Sequence, residues 1–156
     1  MSTMSEYSIL RGITRADVRR DPYAHVVVEG CLPARLYAEL ARTFPADETI
    51  LRLGRSAKRG RAKPNSRHDV GAHCILQNPN CFSRIWHEFV KYHVSNVFFQ
   101  EFIGLMGREI KAVYPGLERR LGRPLCELRT GILDAPEAVG RRALQRYKIG
   151  SGRFST

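Results

Sequence analysis

The 156-residue sequence predicts an α+β chain in which helix dominates. Three observations predict it. The β-branched run "HVVVEG" passes into a stretch where Leu32, Leu36, Leu40 and Phe44 recur every four residues. Two aromatic-rich helical patterns follow between Phe82 and Val113, and a second strand-like segment, "LCELRTGILD", comes after them.

The length suits a single domain with a genuine core. Three regions divide it: a lead-in over 1–20, a structured region over 21–134 interrupted by a basic loop at 52–67, and a basic, frayed tail over 135–156. In the lead-in only Ile9, Leu10, Ile13 and Val18 break the polar pattern, which allows one helical turn. "HVVVEG" lies between Asp21-Pro22 and Gly30 and reads as a short strand. Pro33 suits the first turn of the helix that follows, and Pro45 closes it.

"NPNCFSRIWHEFVKYHVS" places Phe82, Ile85, Trp86, Phe89 and Val90 on one helical face. The next helix carries Phe98, Phe102, Leu105, Met106, Ile110 and Val113, with Ser95 positioned to cap it. Tyr114-Pro115-Gly116 ends that helix, the glycine being expected to take the left-handed turn. Gly131 is the weak point of the final strand.

Composition narrows function. No apolar run approaches the roughly 18 residues of a membrane span, and the first twenty residues lack the apolar core of a secretory signal. A soluble, cytoplasmic protein is expected, without a membrane partner. Cys31, Cys74, Cys81 and Cys126 form no close pair, so free thiols are the simplest reading. Two weaker groupings are a zinc site of His68, His73, Cys74 and Cys81, and an improvised His68, Asp69, His73 triad. The zinc grouping matches no zinc-finger spacing; the triad's spacing could fold round an ion, but Arg67 and the wider basic loop oppose a cation there.

The net charge is +11. Much of it lies in the 52–67 loop, where Arg52, Arg55, Lys58, Arg59, Arg61, Lys63 and Arg67 form a candidate anion-binding set for nucleic acid or another polyanion. No recognition-helix or RNA-binding signature accompanies them, and a solvated loop is the plainer reading. A separate expectation is self-association through the aromatic helix faces of residues 82–113.

"DPYAHVVVEGCLPARLYAELARTFP" followed by "RIWHEFVKYHVSNVFFQEFIGLMG" resembles the amino-terminal region of iron(II)- and 2-oxoglutarate-dependent oxygenases, the prolyl-4-hydroxylase-like group. The resemblance covers about residues 21 to 110. It implies a helix-rich front part of a jelly-roll (double-stranded β-helix) fold, with the barrel incomplete in this chain. The implied activity is that of a dioxygenase hydroxylating a C–H bond with Fe(II) and 2-oxoglutarate. That chemistry needs two histidines and a carboxylate on one face of the metal. The family supplies the first two as His-x-Asp or His-x-Glu, and here Val27, Val70, Ile75, Phe89 and Ser95 stand two places after the five histidines. The expectation is therefore a truncated or inactive portion of a hydroxylase, with no catalytic, metal or cofactor residue of its own and neither cofactor bound by this chain alone.

Overall fold

The structure is a computed structural model that describes residues 5–53 and 69–129. Six helices lie in these segments: α1 (Ala34–Arg42), α2 (Asp47–Leu53), α3 (Ala72–Gln77), α4 (Arg84–His93), α5 (Asn96–Val113) and α6 (Leu117–Leu121). Short 3-10 turns at Arg15–Asp17 and Leu125–Glu127 flank them.

The expected helices form where the apolar period is long enough to bury a stripe. In α1, Leu36 and Leu40 are buried, and the Pro33 carbonyl accepts the amide of Tyr37. Pro33 thus stands just before the first turn instead of within it. The helix stops at Arg42, ahead of Pro45, because a residue preceding proline is pushed out of the helical region. α4 and α5 meet at an elbow where Ser95 Oγ accepts the amide of Phe98, as the sequence predicts. Gly116 does not take the left-handed turn after α5. Its φ is −92°, and the left-handed glycine is Gly122, which ends α6 with φ 71°.

The strands are the main correction. Among the described residues there is no sheet and no barrel, so the jelly-roll expectation fails and helix carries the fold. "HVVVEG" makes one isolated antiparallel bridge, Arg19 with His25, through two 2.9 Å backbone hydrogen bonds. Val27 and Val28 beyond it are exposed, and a β-prone run without a neighbouring strand has no ladder to join. "LCELRTGILD" begins as the 3-10 turn Leu125–Glu127, following Pro124; its part from Thr130 onward, like the 135–156 tail, lies outside the described residues.

Packing is shallow. The buried apolar side chains are few, one or two from most elements together with Val18 and Phe82 from the connections: Val18, Leu36, Leu40, Ile50, Ile75, Phe82, Leu105 and Leu125. α4 contributes none, although α1, α3 and α5 all pack on it. Trp86 Nε1 donates to the Leu40 carbonyl at 3.2 Å, and Ser83 Oγ donates to Thr43 Oγ1 at 3.0 Å, which fix α1 against α4. On α5 the buried positions are Leu105, Gly107 and Glu109, while Phe102 and Val113 are exposed. A carboxylate enters the apolar stripe because Arg20 Nη2 donates to Glu109 Oε1 at 2.7 Å. That guanidinium holds the Glu109 carboxyl below its ordinary range.

Candidate interaction site at the α4–α5 elbow

Of the seven basic residues singled out in the sequence, the structure describes Arg52 alone. It sits in the last turn of α2, and its Nη2 donates to Cys81 Sγ at 3.4 Å. Arg55, Lys58, Arg59, Arg61, Lys63 and Arg67 lie outside the described residues, as does His68 of both metal groupings. His73 Nε2 lies 3.3 Å from Cys74 Sγ, whose thiol also reaches the Leu53 carbonyl at 3.5 Å. Among the described residues no three His, Cys, Asp or Glu side chains converge as a metal would require.

The iron of the oxygenases that the sequence resembles needs two histidines and a carboxylate together, and among the described residues no such group converges. His25 Nδ1 lies 2.7 Å from the Tyr23 carbonyl, and His93 Nδ1 2.7 Å from the Phe89 carbonyl. The His93 ring is enclosed by Phe89 and Phe98, with centroids 4.2 and 4.6 Å away. Burial pushes its pKa down, so the ring stays neutral, with Nε2 buried and unpartnered.

Around His93 the elbow gathers several aromatic contacts and a group of hydrogen-bonded polar side chains. A file of rings runs from Phe44 to Trp86, Phe89, His93 and Phe98, each 4.2–6.0 Å from the next. Beside it, Glu101 accepts hydrogen bonds on both carboxylate oxygens, from Ser8 Oγ at 2.6 Å and from the Tyr92 hydroxyl at 2.5 Å. Burial, followed by Glu101, raises the Tyr92 pKa to about 12, so the phenol remains a donor. Ser8 is fully buried, and this bond is what draws the lead-in onto α5. With both oxygens engaged, the carboxylate serves as a clasp between three segments rather than as a base.

Sequence reasoning missed Ser8, Tyr92 and Glu101, and no local pattern could have paired a serine with a glutamate 93 positions away. Glu109 did leave a signal: an acid inside the stripe of Leu105, Met106, Ile110 and Val113.

One side of the helical layer stays apolar and open. Tyr37 on α1 is 65 % exposed, and Phe44, two residues beyond the end of α1, is 60 % exposed and continues into the ring file through Trp86. No helix among the described residues is long and apolar enough to cross a membrane. Comparison with protein-family models, curated proteins and solved structures returned no match.

Proposed function

We propose that the chain is an iron(II)- and 2-oxoglutarate-dependent-oxygenase-like protein without catalysis of its own, whose described helices act as a support layer for a partner surface. In this reading they present an apolar face for packing and do not themselves hold iron or 2-oxoglutarate. The observation that carries the reading is exposed aromatic surface beside a poorly covered helix: Tyr37 and Phe44 are open to solvent, and α4, on which three other helices pack, contains no buried residue. An apolar face of this kind is favourable only when another surface covers it. The sequence resemblance over residues 21 to 110 supports the same role, because the matching segments include α1, α4 and most of α5. A reducing, cytoplasmic setting belongs to the proposal and agrees with four free thiols.

Sedimentation velocity over a wide concentration range, alongside titration calorimetry with Fe(II) and 2-oxoglutarate, tests this. The expected result is concentration-dependent association that Phe44→Lys weakens at least about tenfold, with no stoichiometric uptake of metal or co-substrate. A strict monomer, or tight one-to-one binding of iron with 2-oxoglutarate, would overturn it.

A further inference from the structure

We propose that the cleft between α5, the Arg15–Asp17 turn and the Leu125–Glu127 turn is a binding site for a small organic phosphate. It runs along α5 from Gln100 to Lys111, uses none of Ser8, Tyr92 and Glu101, and does not depend on the support role. The cleft is an open surface hollow of about 390 Å³, within the range of small-molecule sites, and its cations are exposed at the rim. Its walls are pinned by hydrogen bonds between distant segments. Arg15 Nε donates to the Gly104 carbonyl at 3.1 Å, Gln100 Nε2 donates to the Leu128 carbonyl at 2.9 Å, and Glu118 Oε1 accepts the Leu125 amide at 2.8 Å.

The space exists because α5 carries no side chain at Gly104. A Cβ built there would meet nothing within 4 Å. A glycine in the interior of a long helix costs about 1 kcal/mol relative to alanine, so its presence beside an open, walled cleft is informative.

The charge in the cleft selects the ligand. Arg15, Arg108 and Lys111 line it, opposed by Glu118 alone. Glu118 is already engaged by the Leu125 amide and lies 3.9 Å from Lys111 Nζ. Arg108 makes no ion pair or side-chain hydrogen bond among the described residues. Three cations against one acid match the charge of about −1.5 to −2 on a phosphate monoester at neutral pH. Two guanidinium forks and an ammonium supply the donors that its oxygens accept. Ile103 and Leu125 offer an apolar wall for the organic part of the molecule.

The test is calorimetric titration of the full chain with phenyl phosphate, with succinate as a parallel arm and thermal unfolding recorded for each variant. Because the chain carries other basic stretches, the deciding variant must leave charge unchanged. Gly104→Leu does so: it fills the cleft while improving helix propensity. The expected result is saturable one-to-one binding of phenyl phosphate to the native protein, at least about tenfold weaker in Arg108→Gln and lost in a folded Gly104→Leu. Absence of saturable binding would overturn the assignment. So would undiminished binding in Gly104→Leu, which would place the anion elsewhere on the basic surface, or tighter binding of succinate than of phenyl phosphate.

Discussion

Replacing Leu40 by alanine tests the packing on which the support reading rests. Leu40 is 6 % exposed and sits where α1 meets α4, its carbonyl receiving Trp86 Nε1. The substitution leaves that backbone acceptor in place, so what is lost is apolar burial and the contacts around the cavity. Leucine-to-alanine changes in cores cost about 2–5 kcal/mol, the lower values arising where neighbours can close the gap. Here the neighbours on α4 are half-exposed and free to move in. A loss of about 2.5 kcal/mol is expected, roughly a 60-fold fall in the folded-to-unfolded ratio. Tyr37, one turn earlier and 65 % exposed, provides the contrast: Tyr37→Ala should shift stability by no more than about 0.5 kcal/mol. Urea unfolding followed by far-ultraviolet circular dichroism measures both, provided the denaturant slope is unchanged. Equal costs at the two positions would mean that both sides of α1 are covered, and the assignment of an open apolar face would fall.

Two further outcomes follow from the elbow. Ser8→Ala removes a hydroxyl donor to the Glu101 carboxylate and should cost about 1 kcal/mol, with earlier proteolytic cutting of the lead-in; unchanged stability and cutting would show that the clasp does not hold that segment. His93 has a folded-state pKa below its ordinary 6.5, chiefly through burial, although Glu101 acts in the opposite direction. The folded chain therefore binds fewer protons at this ring than the unfolded chain does. Its contribution is fully present above pH 6.5 and is lost as the pH falls through and below that value. Native protein should lose stability relative to His93→Phe between pH 7 and pH 5, and parallel stability curves for the two would refute the buried, neutral ring.

The parts of the fold legible in the sequence are those with a long repeating apolar period. Leu36 and Leu40 mark the buried side of α1, and Ser95 announces the start of α5; Phe82 is buried but lies just before α4, and the expected face of Ile85, Trp86, Phe89 and Val90 is only half-buried. The short helices α2, α3 and α6 span five to seven residues each, too few for a stripe to declare itself, and their existence depends on what they pack against. "HVVVEG" shows the reverse failure. Its β-branched residues state a local preference, but a strand needs a partner, and Arg19 alone offers one backbone bridge. The candidate anion set was legible as charge, but position along the chain says nothing about convergence: sequence reasoning gave no sign that Arg15, Arg108 and Lys111 line one cleft.

By itself, the amino-acid sequence determined that this chain is basic, rich in amphipathic helix and without the His-x-Asp pattern of an oxygenase iron site. Charge and period are properties of residues and their near neighbours, so they survive without knowledge of the fold. Tertiary structure alone decided that Ser8 reaches Glu101, that Arg20 neutralises Glu109, and that Arg15 shares one cleft with Arg108 and Lys111 of α5. Each of these joins segments more than 85 residues apart, and only the folded chain's packing brings such groups within hydrogen-bonding or Coulombic range.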